Sequence, residues 1–231
     1  MMKYTDMIKF PLFDYSHYQK PIISFVGAGG KTTLIMAHAR HFQKMHKRVL
    51  ITTTTHMLKE QEYYCSCIEE VQKRFAACKT VMVGKDCGNG KISRLDDAIF
   101  DEYIAMADIV LIEADGAKRK SCKVPRDHEP QLLMESQYVV GVIGMDCLDK
   151  NIAEGCFAVD QLCSLLQKKP QDHLDENDLA TILISKQGTR KDVADRYYYV
   201  VLNKTASFHK EREAKIIKKL IQSQVDDVVY I

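Results

Sequence analysis

Six apolar runs, separated by segments of helical spacing, leave this chain little choice of architecture. They are Pro21 to Val26, Arg48 to Thr53, Ile109 to Glu113, Tyr138 to Ile143, Tyr198 to Leu202 and Val225 to Ile231. Nearly every position in them is apolar or β-branched, with no alternation of polar and apolar faces. Strands of that kind are covered on both sides, as in a parallel sheet held between two helical layers. Thr32 to Gln43, Cys156 to Gln167 and Glu211 to Gln222 carry apolar residues at helical intervals. Asp172 to Lys186 also reads as a helix, and Gln187 to Arg190 as a turn. Thr80 to Leu95 differs: two short strands around Gly-Asn-Gly predict a β-hairpin. The expected fold is therefore α/β, a three-layer arrangement around a mostly parallel sheet with a hairpin insertion near residues 80–95. No linker divides the chain, so residues 1–231 read as one domain, with room for a small helical appendage over about 151–195.

Composition narrows the setting. Of 231 residues, 46% are hydrophobic and 28% charged, enough apolar material for a sizeable core. Basic and acidic residues number 33 and 31, a balance that argues against nucleic acid as a partner. The eight cysteines form no C-x-x-C pair and read as reduced thiols. No cysteine sits in a recognisable activating context; Cys122, flanked by Lys120 and Lys123, comes nearest to one. The stretch Met1 to Lys20 lacks the apolar core of a secretory leader. The best apolar run, Tyr138 to Met145, falls far short of the ~18 residues a membrane helix needs. A soluble, cytoplasmic protein is expected.

The most informative segment is Gly27-Ala28-Gly29-Gly30-Lys31-Thr32-Thr33, which leaves the first apolar run and opens the first helical pattern. Strand, glycine loop and helix in that order are what a phosphate-binding loop requires. Glycine lets the backbone curl so that successive N–H groups face phosphate oxygens, and the helix N-terminus adds positive potential. This predicts a P-loop NTPase-like fold whose residues 27–33 hold a nucleoside triphosphate. Lys31 would reach the β- and γ-phosphates, the Thr32 hydroxyl would bind Mg²⁺, and Thr33 would donate to the α-phosphate. Phe25 stands where the longer G-x-x-x-x-G-K-[ST] pattern has its first glycine. The shorter G-x-x-G-K-T-T that remains resembles the loop of Mur-type ligases. Those enzymes need further domains that this length cannot hold, so the likeness extends to the loop and not to the ligase activity.

The strand Ile109 to Glu113 continues into Ala114, Asp115 and Gly116. Glu113 and Asp115 are two residues apart and share a side if the strand extends through them. Asp115 is the candidate for holding Mg²⁺ through a water, with Glu113 the alternative or the group that orients an attacking water. Lys118, Arg119, Lys120, Lys123 and Arg126 follow, a basic run suited to clamping phosphates or an anionic second substrate. Lys118 or Arg119 would stabilise the transferred group, and His128 offers acid–base capacity. After the second strand, Thr52 to Thr55 and His56 would bring hydroxyls and an imidazole to the same edge. Asn203-Lys204-Thr205-Ala206 resembles the N-K-x-D motif of GTPases. Ala206 stands where that motif has the aspartate that reads guanine, which favours ATP over GTP and leaves Lys204 to pack over the purine.

Taken together, GAGGKTT, TTTTH, IEADGAKRKSCKVPRDHEP, VIGMD and VLNK resemble the YqeC family, in order, from about Pro21 to Thr205. On that likeness Glu113, Asp115, Gly116, Lys118, Arg119, Lys123, Pro125, His128, Glu129 and Pro130 map onto its most specific segment. The resemblance implies a nucleotide-binding accessory protein of selenium-dependent molybdenum hydroxylases, with the hydroxylase or its cofactor-maturation machinery as partner. Two modes of action fit. One is Mg²⁺-dependent hydrolysis or phosphoryl transfer from ATP; the other is a nucleotide-gated adaptor or chaperone with little catalysis of its own.

Overall fold

The computed structural model describes residues 12–231, so the reading of the N-terminal stretch lies outside the described residues for positions 1–11. The first half of the chain forms β1 (Ile22–Gly27), α1 (Lys31–Lys44), β2 (Val49–Thr53), β3 (His56–Leu58), α2 (Ile68–Ala76) and β4 (Val81–Met82). There follow β5 (Lys85–Asp86), β6 (Lys91–Ser93), α3 (Asp97–Met106), β7 (Ile109–Glu113), β8 (Cys122–Lys123) and β9 (Tyr138–Gly144). The remainder comprises α4 (Ile152–Gly155), β10 (Cys156–Phe157), α5 (Val159–Leu166), α6 (Glu176–Ile184), β11 (Tyr197–Asn203), α7 (Phe208–Ile221) and β12 (Asp227–Tyr230).

A seven-stranded sheet in the order β12–β11–β9–β1–β7–β2–β4 is the centre of the fold, flanked by helices. β2 pairs in parallel with both β7 and β4, and β11 in parallel with β12. β1, β2, β7 and β9 are buried at every residue, as their unbroken apolar runs demand. β1 and β7 are neighbours in the strand order of this sheet. Among the described residues no helix is long and apolar enough to cross a membrane.

The chain groups into two compact units. One takes the residues up to Ser24, Thr32–Ala114 and Leu133–Tyr138. Its core gathers Leu50, Val71, Phe75, Val81, Phe100, Val110 and Ile112. The other takes Phe25–Lys31, Asp115–Leu132 and Val139–Ile231. In it Tyr198 uses the space left by the missing side chain of Gly141, where a Cβ would lie 2.5 Å from the Tyr198 hydroxyl. That hydroxyl donates to the Leu183 carbonyl at 2.8 Å.

Three expected elements are refined. Only β5 and β6 form the hairpin within 80–95; Val81–Met82 joins the main sheet, and β3 completes a small three-stranded sheet with the hairpin. The helix expected from Cys156 begins at Val159 instead, because Cys156–Phe157 pairs in parallel with Cys122–Lys123 and Ala158 turns left-handed at φ 59°. The helix expected over Asp172 to Lys186 is bounded at Glu176 by a capping box between Asp175 and Asp178.

In the first unit His38 is fully buried in α1. Its Nδ1 lies 2.8 Å from the Leu34 carbonyl and its Nε2 3.2 Å from the Tyr15 hydroxyl. The neutral ring satisfies both, Nδ1–H donating and Nε2 accepting. Burial lowers its pKa from 6.5 to about 4, against the opposing pull of the Leu34 carbonyl. Between those values only the unfolded chain takes up the proton, so stability falls as pH drops from about 6.5 toward 4. One such proton is worth ~1.4 kcal/mol per pH unit, or about 3 kcal/mol across the window. Chemical denaturation at several pH values should show this slope and a flatter one in His38→Gln. An equal slope in the variant would contradict the assignment.

Candidate functional site

The loop after β1 is fixed by its neighbours before any ligand is considered. The Ala28 N–H donates to the Val142 carbonyl at 2.9 Å and the Gly29 N–H to the Lys120 carbonyl at 3.1 Å. The Asn203 amide donates to the Gly29 carbonyl at 2.8 Å, which ties the end of β11 to the loop. Gly27, Gly29 and Gly30 all have positive φ, at 91°, 91° and 125°. A Cβ on Gly27 would sit 2.3 Å from the Val142 oxygen, and one on Gly29 would sit 2.2 Å from the Gly144 nitrogen. Glycine is thus required at both positions twice over, by backbone angle and by close packing against β9.

Lys31 opens α1 and curls back over this loop, with Nζ donating to the Gly27 carbonyl at 2.6 Å. The same ammonium lies 2.9 Å from Asp115 Oδ1. The Gly27 N–H donates to Asp115 Oδ2 at 2.9 Å. A second buried ammonium, Lys123 Nζ, lies 3.2 Å from Asp115 Oδ2 and 2.7 Å from Glu129 Oε2. Glu129 further accepts from the N–H groups of Gly116 and Arg126, each at 3.3 Å. Burial pushes the Glu129 carboxyl up, but Lys123 and those two N–H groups hold it below its ordinary value. All four charged side chains are buried, so each depends on the others for compensation.

Glu113 is the last residue of β7, and Asp115 lies two residues beyond it. Asp115 is engaged by lysines, whereas Glu113 Oε2 accepts the Thr32 hydroxyl proton at 2.7 Å within the first unit. The Thr53 hydroxyl and the Thr54 N–H donate to the Glu113 carbonyl, so the threonine run fastens β2 to β7. A hydroxyl and a carboxylate so placed are the hard oxygen donors that suit Mg²⁺. Among the described residues no group of three or more His, Cys, Asp or Glu side chains could hold a metal ion.

Thr33 is exposed in the first turn of α1. Lys118 and Arg119 are exposed on consecutive left-handed residues, φ 45° and 62°. Lys118 Nζ and the Arg126 guanidinium lie 5.5 and 4.5 Å from the centre of the Phe157 ring. Lys204 reaches Ser121 and Asp146, each at 2.9 Å. Burial raises the Asp146 carboxyl, but Lys204 and Ser121 bring it below its ordinary value. His128 is exposed and stands outside the buried network, and His56 is exposed in β3. Cys122 is fully buried, and contacts with the Cys147 and Cys156 thiols, together with burial, push its own thiol well up. That is the reverse of an activated thiolate.

Sequence reading missed the role of Lys123 and Glu129 as buried partners of Asp115. Lys123 sits inside a run of cations, and spacing alone does not tell which member points inward. The signal available was the pair of carboxylates on either side of that run.

A strand, a glycine loop and a helix opened by a buried lysine, at the central strand of a parallel sheet, define a P-loop NTPase-like α/β protein. The family model described as "YqeC protein" matches residues 23–160, and the chain belongs to the YqeC family. It is similar to "Uncharacterized protein YqeC" of Escherichia coli (strain K12), with 29% identity over 192 residues. That alignment covers 79% of this chain and 75% of the relative.

The close packing of the loop can be measured. Gly88 also has positive φ, 73°, but a Cβ there would meet nothing within 4 Å. Gly88→Ala should therefore cost only the ~1–2 kcal/mol of the left-handed backbone. Gly29→Ala should cost at least a further ~1–3 kcal/mol for the collision with β9. Equal losses in the two variants, by equilibrium denaturation, would contradict the packing argument.

Proposed function

We propose that this protein binds ATP with Mg²⁺ and hydrolyses it or transfers its phosphoryl group, as an accessory factor in maturation of a selenium-dependent molybdenum hydroxylase. The observation that carries the reading is the state of Lys31. A buried ammonium that meets its own loop carbonyl and the Asp115 carboxylate is ready to exchange that carboxylate for an anionic phosphate oxygen. The first N–H groups of α1 have no acceptor within the helix and supply donors for the same phosphates.

Thr32 and Glu113 are the residues proposed to hold the metal. Glu113 is preferred to Asp115, whose oxygens already face two lysines. Bound Mg²⁺ would offset negative charge that develops on the transferred phosphoryl group. Lys118 and Arg119, exposed and next along the chain from the Asp115–Gly116 turn, are the cations proposed for that group or for an anionic second substrate. Asn203 steadies the loop, Lys204 is left to flank the base, and ATP is preferred because Ala206 offers guanine no carboxylate. The hydroxylase setting rests on the YqeC resemblance, and a cytoplasmic location on the eight free cysteines.

Calorimetric titration of ATP with Mg²⁺ tests the proposal. The wild type should bind, and Lys31→Met should weaken binding by roughly a hundredfold, since the lysine is the main cation on the β- and γ-phosphates. Thr32→Ala should remove most of the dependence on Mg²⁺. Release of phosphate, alone or with a hydroxylase present, would mark the catalytic mode; tight binding with no release would mark the adaptor. Absence of ATP binding by the wild type would refute the proposal.

A further inference from the structure

We infer that Lys123, backed by Glu129, is a positioning residue that allows Lys31 to leave Asp115 for the phosphates of a bound nucleotide. The inference rests on the phosphate reading above and deepens it. If Lys31 is to turn toward phosphate, it must give up Asp115 Oδ1, 2.9 Å away. A buried carboxylate left without a partner costs several kcal/mol, and that cost would be charged against nucleotide binding. Asp115 is not left so. Its Oδ2 retains the Gly27 N–H at 2.9 Å and faces Lys123 Nζ at 3.2 Å.

The distances around Lys123 suit this task. Its ammonium donates to the Gly116 carbonyl at 2.7 Å and to Glu129 Oε2 at 2.7 Å, and lies 3.2 Å from Asp115 Oδ2. While Lys31 occupies Asp115, Lys123 stands closer to Glu129. Once Lys31 departs, the same ammonium tightens on Asp115. Two independent ion pairs, Lys31 with Asp115 and Lys123 with Glu129, would satisfy the buried charges without this shared carboxylate. Sharing couples them. The Phe157 ring, 5.5 Å from Lys123 Nζ, covers the ammonium, and the residue is buried.

The two ends of the coupling predict opposite signs. In Lys123→Met, Lys31 is the one charged partner left to Asp115 among the described residues, so ATP affinity should fall by roughly tenfold or more. In Glu129→Gln, Lys123 is drawn to Asp115 and Lys31 is held less, so ATP affinity should rise by about threefold. Adding Asp115→Asn to Lys123→Met should restore affinity to within about threefold of the wild type, since the uncompensated carboxylate is gone.

Calorimetric titration of full-length protein with ATP and Mg²⁺ reads all of these, with circular dichroism as the check on folding. A purely structural role would lower affinity in both single variants or in neither. The inference is overturned if Glu129→Gln weakens or leaves unchanged the affinity, or if Asp115→Asn does not restore it. Should Lys123→Met fail to fold, Glu129→Gln decides alone: tighter binding supports the inference, and any other result overturns it. Failure of the wild type to bind ATP would remove the phosphate reading itself. A wild type that binds, with the wrong pattern among variants, removes only the role of Lys123 and Glu129.

Discussion

Two lysines and two carboxylates are buried together in the second unit, and the glycine loop after β1 is held in place by their mutual neutralisation. In a low-dielectric interior each charge is costly alone, so Lys31, Asp115, Lys123 and Glu129 have to find one another as the chain folds. Asp115 is the member they share. Through Gly27 and Lys31 it grips the glycine loop, and through Lys123 and Glu129 it grips the segment up to the Glu129–Pro130 bond. The loop that would meet phosphate and the basic run that follows β7 are in this way parts of one electrostatic unit.

Packing then fixes what charge alone would leave loose. The loop lies so close to the end of β9 that side chains at positions 27 and 29 would overlap its backbone, and the Asn203 amide holds it from β11. A loop pinned at three points presents its remaining donors with little motion left to lose on binding, which favours affinity for a small anionic group. Thr32 and Glu113 meet on their own account, at the first turn of α1 and the last residue of β7.

The sheet and its loop were legible because they rest on strong local signals. Buried parallel strands must be apolar on both faces, and a glycine loop between strand and helix is read directly from Gly27 to Thr33. Residues 59–79 and 96–108 carried no such signal, and the short helices α2 and α3 found there owe their stability to tertiary burial of Val71, Phe75, Phe100 and Tyr103. The pairing of Cys156–Phe157 with Cys122–Lys123 was hidden because its partner strand is distant in sequence and only two residues long. The site followed the same rule. Lys31 and Asp115 stand out by position, whereas Lys123 is concealed in a run of cations, and the N-K-x-D likeness at Asn203 does not foretell that its amide also holds the loop. Long-range pairing of charges decides those roles, and spacing along the chain does not record it.

On the proposed function, Lys31 has two anionic partners in turn, first Asp115 and then phosphate. The most direct measurement is a crystal structure of the protein with ATP and Mg²⁺ bound. It should find Lys31 Nζ on the β- and γ-phosphate oxygens, with Asp115 retained by the Gly27 N–H and drawn closer to Lys123. Phosphates bound away from residues 27–33, or Lys31 still paired with Asp115 beside an occupied site, would contradict it.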